Sequence, residues 1–288
     1  MTGRCRRIES ARTVGGGSIS PAARIEIDGG EDLFLKWNAG ASSEMFEAEA
    51  DGLRALAAAA PRPLRIPEVV GVGTSADRGA SWILMEFVEP GPGTATWGED
   101  LGHALAALHE PAGAPCGWRR DNFIGSLPQA NPRREDWGSF YREHRIRPQL
   151  EAARERGHLK GKGSAVMDEL VERIPELLGG EIPGGASMLH GDLWGGNVFP
   201  DTSGRPVLID PAVYHGDPEV DLAMSELFGF PSGFLAGYRD TRTVDEGYER
   251  VRRDLYQLYY LLVHVVLFGA GYESACLRAA RNALAAAS

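Results

Sequence analysis

The sequence predicts an α+β protein with two lobes: a small N-terminal lobe with a five-stranded antiparallel sheet and one helix, and a larger, mainly helical C-terminal lobe. Three observations predict this division. Strand-like alternation with Asp-Gly and Gly-Gly turns dominates the first part of the chain, helical periodicity dominates the rest, and the proline- and glycine-rich segment 89–93 lies between them. We therefore expect lobes at residues 1–88 and 89–288, each long enough to bury a core.

The N-terminal lobe is predicted to begin with three strands between residues 11 and 37. Two glycine-containing turns, typical of antiparallel hairpins, join them: Gly15-Gly16-Gly17-Ser18 and Asp28-Gly29-Gly30. Residues 42–58 then follow a helical period. One stripe of this helix is apolar: Phe46, Ala50, Leu53 and Ala57. Two further strands, at residues 69–72 and 82–88, complete the sheet.

The C-terminal lobe is predicted to be built mainly from helices. Leu101, Leu105 and Leu108 share one helix face. Further helices are predicted by period at residues 137–150, 165–178 and 254–268. Two short apolar strands interrupt the helices: Met188-Leu189 and Val207-Leu208-Ile209. Each strand ends immediately before polar residues, and these polar residues are the candidates for chemistry.

Composition excludes several classes of function. A formal net charge of −10 argues against a nucleic-acid surface, because neutralising phosphates requires a concentrated basic footprint. The three cysteines are widely separated and odd in number, which fits a reducing compartment. No apolar core of a secretory signal opens the chain, and the most apolar stretch, 255–268, is too short to span a bilayer. We expect a cytoplasmic protein with no membrane or nucleic-acid partner.

The strongest local signal is HGDLWGGN at residues 190–197, followed by Asp210 after an apolar strand. This is the H-x-D-x-x-x-x-N spacing of kinase catalytic loops followed by a metal-binding aspartate. Phosphoryl transfer needs a carboxylate to accept the proton of the attacking hydroxyl, and oxygen ligands to hold Mg²⁺ against the phosphates of ATP. We expect Asp192 to be the base and Asn197 and Asp210 to be the metal ligands, with His190 structural. Each residue alone is more typical of a turn cap, and their joint spacing at the ends of apolar runs favours catalysis.

Lys36 is flanked by apolar residues in the third predicted strand. An inward lysine there needs anions, which ATP phosphates and a glutamate would supply, whereas an edge lysine would lie in water. The sequence leaves these two positions open. Of the two glutamates that follow on the helix, Glu49 lies on the inward stripe and Glu47 faces solvent, so we expect Glu49 to pair with Lys36.

Two backbone segments are candidates for nucleotide contacts. The turn Gly15, Gly16, Gly17 and Ser18 would let amides approach phosphates, although many hairpins carry glycines for their conformation alone. The segment Glu86, Phe87 and Val88 runs into the lobe boundary, where its backbone would meet an adenine edge.

The segment after Asp210 favours a small acceptor. Asp210 is followed by Pro211, and only ten residues separate Asp210 from Asp221, so the long activation segment and A-P-E motif of protein kinases are missing. We expect Asp221 to cap the helix that it begins and to brace the catalytic loop.

These motifs resemble the fructosamine kinase (ketosamine-3-kinase) family, a branch of the protein-kinase-like fold that also includes aminoglycoside and choline kinases. The similarity extends over nearly the whole chain. The matching segments are GGGSIS at 15–20, Lys36, MFEAE at 45–49, LGxxLAxLH at 101–109, DNFIGSLPQ at 121–129, HGDLWGGN at 190–197 and IDPAVYHGDPEVDLA at 209–223.

The resemblance implies ATP- and Mg²⁺-dependent phosphorylation of the 3-hydroxyl of fructosamine or ribulosamine sugars on free or protein-bound amines, with release of the amine afterwards. It implies that Trp194 faces the acceptor sugar, although packing of the loop is an equal alternative. Residues 122–125 would either rim the acceptor cleft or simply connect helices. Two other functions stay open: a kinase for an aminoglycoside, choline-like or other hydroxyl compound, and a nucleotide-binding regulatory module without turnover.

Overall fold

The N-terminal part of the chain forms one antiparallel sheet in the computed structural model, which describes residues 7–15 and 20–286. Its strands are β1 (Ile8–Val14), β2 (Ala22–Ile27), β3 (Glu31–Asn38), β4 (Val69–Thr74) and β5 (Ser81–Glu86). They lie in the order β1-β2-β3-β5-β4, which confirms the predicted five-stranded antiparallel sheet. β5 ends at Glu86 rather than at the predicted Val88, because the ladder with β3 stops at the pair Leu33 and Glu86.

One helix, α1 (Ser43–Ala59), accompanies the sheet, as predicted. Phe46, Ala50 and Leu53 are buried on its inner face. The prediction for Ala57 is wrong: it is exposed, and Leu56 fills the core in the last part of the helix. Burial of the larger leucine side chain removes more apolar surface from water, so this orientation is the more stable one.

The rest of the chain is mainly helical, as the periodicity predicts. Its helices are α2 (Trp97–Leu108), α3 (Trp137–Tyr141), α4 (Arg147–Glu155), α5 (Lys162–Leu178), α6 (Glu219–Leu227), α7 (Phe234–Thr241), α8 (Arg253–Phe268) and α9 (Glu273–Ala286). The predicted helix at 137–150 is α3 and α4 joined through a π-helical turn, Arg142–Ile146. α8 lies buried in the core, and the three leucines predicted to share a face of α2 are buried as well.

Three short strand pairs interrupt the helices. The strands are β6 (Asn122–Ile124), β7 (Leu127–Gln129), β8 (Ser187–Leu189), β9 (Val198–Pro200), β10 (Pro206–Leu208) and β11 (Tyr214–Gly216). β6 pairs with β7, β8 with β11, and β9 with β10, all antiparallel. β8 and β10 are the two predicted strands. They deliver the HGDLWGGN segment and Asp210, respectively, at their carboxyl ends.

The N-terminal sheet and α1 are fastened to the helical part at two places. The backbone at Arg65 pairs with β10, and its guanidinium contacts both Glu86 and Asp201. On α1, the Asp51 carboxylate accepts a hydrogen bond of 2.8 Å from the indole of Trp118 and pairs with Arg119. These contacts fix α1 and the sheet against the helical part of the chain.

Within the described part of the chain, every helix is too short or too polar to cross a membrane. Cys116 and Cys276 are buried free thiols, and Cys5 lies outside the described residues.

Candidate active site

A cleft of about 330 Å³ lies where the sheet, α1 and the HGDLWGGN segment meet. Most predicted site residues line it: Gly15, Lys36, Glu49, Glu86, Phe87, Val88, Asp192, Trp194, Asn197 and Asp210. These residues come from positions as far apart as the end of β1 and the loop after β10. The other predicted positions, Gly16, Gly17 and Ser18, lie outside the described residues.

Lys36 holds two carboxylates together in this cleft. It lies on β3, a central strand between β2 and β5, and its side chain is only 12% exposed. Its ammonium donates to both carboxylate oxygens of Glu49 at 3.1 Å and to Oδ1 of Asp210 at 3.0 Å. The edge-lysine alternative is therefore wrong, and the predicted pairing with Glu49 rather than Glu47 is present.

The charges of this cluster are strongly coupled. Burial of the Lys36 ammonium disfavours its charge, but the carboxylates of Glu49 and Asp210 outweigh burial and raise the Lys36 pKa. Burial and the neighbouring charge of Asp210 raise the pKa of Glu49 to about 7 despite the ammonium. Two carboxylates thus share one cation, and the cluster has a surplus of negative charge that suits a further cation.

Asp210 has an unusual backbone conformation, with φ of +53°. A residue other than glycine in this left-handed region is strained unless its surroundings fix it. Its side chain remains 38% exposed although Oδ1 contacts Lys36. Strain of this kind concentrates at functional sites.

Asp192 and Asn197 face each other across one turn of the HGDLWGGN segment. The Asn197 amide nitrogen donates to the backbone carbonyl of Asp192 at 2.8 Å and to its Oδ2 at 3.3 Å. Burial and the negative charge of Asp210 raise the pKa of Asp192 to about 7. Since the nitrogen of Asn197 is turned toward Asp192, its amide oxygen is free to face another partner.

His190 has a structural role in the described contacts. Its Nε2 donates to the carbonyl of Ile209 at 2.9 Å, and its Nδ1 accepts from the amide of Asp192 at 3.3 Å. Burial lowers its pKa, so the neutral ring is favoured. This ring ties the residue before Asp210 to the loop that carries Asp192.

Asp221 braces the loop, as predicted, but the prediction that it caps a helix is wrong. Pro218 is the N-cap of α6, and Asp221 lies inside the first turn. Its two oxygens accept from the amides of His190 at 2.7 Å and Gly191 at 2.9 Å. Because both oxygens bond the HGDLWGGN segment, they do not cap the amides of α6. The carboxylate also accepts from Nε2 of His109, the residue that follows α2, at 3.2 Å, a contact that the sequence does not predict.

The segment that follows β5 borders the cleft. The Glu86 carboxylate turns to Arg65, away from any adenine role. Met85, one residue earlier, is buried in the core. Phe87 and Val88 line the cleft together with Glu86.

Trp194 also lines the cleft, as do residues of the β6–β7 hairpin. Asn122, Phe123 and Gly125 all border the cleft. The predicted 122–125 segment therefore does more than connect helices. Its partners Gln129 and Asn131 were not predicted, because buried amides have no periodic signature in a sequence.

Comparison with known proteins shows similarity over the full length of the chain. A family model described as fructosamine kinase matches residues 1–286. A Synechocystis protein named a probable ketoamine kinase is 42% identical over 274 residues, which cover 94% of this chain and 89% of the relative. A rice (Oryza sativa subsp. indica) protein named protein-ribulosamine 3-kinase, chloroplastic, is 38% identical over 280 residues, or 96% and 79% of the two chains.

Solved structures give the same picture for the fold. A crystal structure assigned to the fructosamine-3-kinases, from Thermobifida fusca, superposes with a TM-score of 0.85 at 36% identity, covering 97% of this chain and 95% of the other. An aminoglycoside phosphotransferase, APH(4)-Ia, shares the fold alone, with a TM-score of 0.64 at 16% identity and coverage of 96% and 95%. The predicted α+β, protein-kinase-like fold is confirmed.

Proposed function

This chain belongs to the fructosamine kinase family and is a phosphotransferase with a hydroxyl acceptor, and we propose that it transfers the γ-phosphoryl group of ATP to the 3-hydroxyl of ketosamine sugars. The observation that carries the proposal is the convergence of Lys36, Glu49, Asp192, Asn197 and Asp210 on one cleft. A chain that had lost turnover would not be expected to keep all five in contact. The same convergence argues against a purely regulatory nucleotide-binding module.

Asp192 is the proposed base. Its carboxylate lies in the cleft, held by Asn197, and its pKa of about 7 suits proton transfer at neutral pH. As the acceptor oxygen bonds to the γ-phosphorus, its proton passes to Asp192, and the bond from the γ-phosphorus to the bridging oxygen breaks to release ADP. Positioning and charge stabilisation dominate such a transfer.

Asn197 and Asp210 are the proposed ligands of Mg²⁺. Among the described residues, no group of three or more His, Cys, Asp or Glu is arranged to hold a metal. Mg²⁺ needs fewer protein ligands than that, because it usually takes one or two carboxylates and completes its shell with phosphate and water oxygens. The exposed part of the Asp210 carboxylate and the amide oxygen of Asn197 are oxygen donors that fit it. When bound, the ion would neutralise charge on the phosphates.

Lys36 is the proposed phosphate anchor, with Glu49 as the residue that orients it. In the structure the three donors of the ammonium are directed at Glu49 and Asp210, and anchoring a phosphate would turn the donor now on Asp210 to a phosphate oxygen. The turn Gly15, Gly16, Gly17 and Ser18 would cover the phosphates through its amides, and the backbone of 86–88 would meet adenine.

The acceptor is proposed to be a fructosamine or ribulosamine on a free or protein-bound amine, which implies a role in reversing glycation. The relatives named ketoamine kinase and protein-ribulosamine 3-kinase support this substrate class. Trp194 borders the cleft, where an indole can stack on a sugar face while its N–H donates to a hydroxyl. We further propose a cytoplasmic location, supported by two buried unpaired thiols, although a plant relative is named as chloroplastic.

The test is a parallel ADP-release assay with fructosyl-lysine, ribulosyl-lysine, kanamycin and choline, with the phosphorylated position assigned by NMR. We expect turnover of the two ketosamines and a phosphate on the 3-hydroxyl. Turnover of kanamycin or choline alone would overturn the proposed substrate class while leaving the kinase assignment intact.

A further inference from the structure

The β6–β7 hairpin presents two buried amides to the segment that follows Asp210. Asn122 and Gln129 are directly opposite each other in the hairpin register. The Asn122 amide nitrogen donates to the carbonyl of Val213 at 2.8 Å, and that of Gln129 donates to the carbonyl of Ala212 at 3.2 Å. These two carbonyls belong to the second and third residues after Asp210.

The two amides are themselves held in one orientation. Oδ1 of Asn122 accepts from Nε2 of Gln129 and from Nδ2 of Asn131, both at 2.8 Å. Oε1 of Gln129 accepts from the hydroxyl of Tyr259 at 2.6 Å. Oδ1 of Asn131 accepts from the guanidinium of Arg145 at 2.6 Å. The oxygens of Asn122 and Gln129 are therefore both engaged as acceptors. The side-chain nitrogens of these two residues are fixed toward the backbone that follows Asp210.

Arg145 anchors the far end of this network. It is fully buried, which is rare for an arginine, and its guanidinium lies 3.9 Å from the ring centre of Tyr214 and 4.8 Å from that of Phe140. It donates to the carbonyls of Ala130 and His144 as well as to Asn131. Burying a cation is costly, and here both terminal nitrogens are hydrogen-bonded while Nε has no hydrogen-bond partner among the described residues. The position of Arg145 therefore depends on its terminal nitrogens and on the aromatic rings around it.

The network acts on one side of Asp210, and His190 acts on the other. His190 donates to the carbonyl of Ile209, immediately before Asp210, while Gln129 and Asn122 hold the carbonyls that follow. The left-handed φ of Asp210 persists only if its neighbours are held on both sides. Packing of the hairpin alone would not require two amides directed at consecutive carbonyls.

We propose that Gln129 and Asn122 are positioning residues that hold the Asp210 carboxylate in the cleft through the backbone of residues 212 and 213. The inference rests on the proposed function, in which Asp210 is a Mg²⁺ ligand. Loss of either amide would let the 210–213 segment relax. The contact of Asp210 with a magnesium–nucleotide complex would then weaken, while the sites for adenine and for metal-free phosphates would be unaffected.

Two tyrosines of the same aromatic cluster provide a matched test. Tyr259 and Tyr141 are both fully buried, their ring centres are 6.4 Å apart, and each hydroxyl donates one hydrogen bond. The Tyr259 hydroxyl bonds Gln129, whereas that of Tyr141 bonds the carbonyl of Tyr256 at 3.2 Å, outside the network. Tyr259→Phe removes the hydrogen bond to Oε1 of Gln129. Tyr141→Phe is the control, because it also deletes one buried tyrosine hydroxyl. Gln129→Met, which removes the amide but keeps the side-chain length, is the direct variant.

Calorimetry would measure ADP affinity with and without Mg²⁺ in the unaltered protein and the three variants, alongside kcat, KM for ATP and the melting temperature. We expect Gln129→Met to lower kcat by about 100-fold and Tyr259→Phe by about tenfold, since an ångström of displacement has effects of that size. Both should reduce the gain in ADP affinity that Mg²⁺ provides and leave metal-free ADP affinity unchanged. Tyr141→Phe should lower only the melting temperature.

Variants of Gln129 and Tyr259 that keep the full Mg²⁺ effect, or that lower only the melting temperature as expected of Tyr141→Phe, would overturn the inference and leave the proposed function standing. If the unaltered protein gains no ADP affinity from Mg²⁺, the proposed magnesium site and the inference both fail.

Discussion

The Lys36 ammonium lies 3.0 Å from Oδ1 of Asp210, a residue 174 positions later in the chain. This contact joins β3 of the sheet to the loop after β10. It brings the proposed phosphate anchor, Lys36, into hydrogen-bond contact with the proposed Mg²⁺ ligand, Asp210. Lys36 is oriented by Glu49, and the backbone on the two sides of Asp210 is hydrogen-bonded by His190 and by the Asn122–Gln129 pair.

Replacing Lys36 with methionine should weaken ATP binding. The change removes the cation shared by Glu49 and Asp210 and leaves their charges facing each other. A charge-assisted hydrogen bond of about 1.5–3 kcal/mol corresponds to a rise in the ATP KM of about 10- to 100-fold. Steady-state kinetics would measure it, with the exposed Lys160→Met as control. An unchanged ATP KM in the Lys36 variant would contradict the anchoring role.

The two glutamates on α1 provide a matched pair. Glu49 is 9% exposed and bonds Lys36, whereas the Glu47 side chain is 48% exposed and lies 3.8 Å from Arg120. Glu49→Gln should lower kcat/KM for ATP by about tenfold, because losing one charge-assisted bond costs about 1.5 kcal/mol. Glu47→Gln should leave it unchanged. Equal effects in the two variants would show that Lys36 does not depend on Glu49.

Asp221 should matter for stability because it accepts from two backbone amides and from His109 in a fully buried position. Asp221→Ala leaves these donors without a partner and should reduce the free energy of unfolding by about 3 kcal/mol. Urea denaturation would measure it. The exposed Asp240→Ala, whose partner is the half-exposed His103, should change stability by less than about 0.5 kcal/mol. A similarly small change for Asp221 would show that the catalytic loop is held by other contacts.

Asp201 should make the protein acid-sensitive. Burial alone would favour its neutral form, but hydrogen bonds from Arg205, Arg65 and the amide of Ser203 outweigh burial and lower its pKa to about 2. Because this pKa lies below the unfolded value of about 3.9, the stabilisation of about 2 kcal/mol is present above pH 4 and is lost as the pH falls toward 2.

Asp201→Asn should remove that part of the pH dependence. Urea titrations of both proteins between pH 2 and pH 6 would show stability curves that differ above pH 4 and converge toward pH 2. Parallel curves over the whole range would mean that the Asp201 carboxylate is not selectively stabilised in the folded protein.

Much of the site could be predicted from the sequence because three of its residues, Asp192, Asn197 and Asp210, follow apolar strands with fixed spacing. Glu49 was chosen from its place on the inward stripe of a helix, whereas the sequence left the orientation of Lys36 open; all five line the cleft. Strand alternation likewise predicted the five-stranded sheet, since its turns carry glycines where hairpins need them.

What the sequence did not predict depends on contacts between distant segments. The orientation of Asp221 is set by its bonds to His190 and Gly191. Its position near the start of a helix therefore led to the wrong prediction that it caps that helix. The amide pair Asn122 and Gln129 has no periodic signature, and its partners are backbone carbonyls more than 80 residues away. Polar groups of this kind are buried only where tertiary structure supplies their partners.

In the proposed reaction Asp192 accepts the proton of the attacking hydroxyl, in a cleft that binds ATP independently of that carboxylate. Asp192→Asn separates these two properties, with turnover measured by ADP release on a ketosamine and ATP binding measured by calorimetry. We expect a loss of kcat of about 100- to 10,000-fold with ATP affinity retained. Turnover equal to that of the unaltered protein would show that Asp192 is not the base.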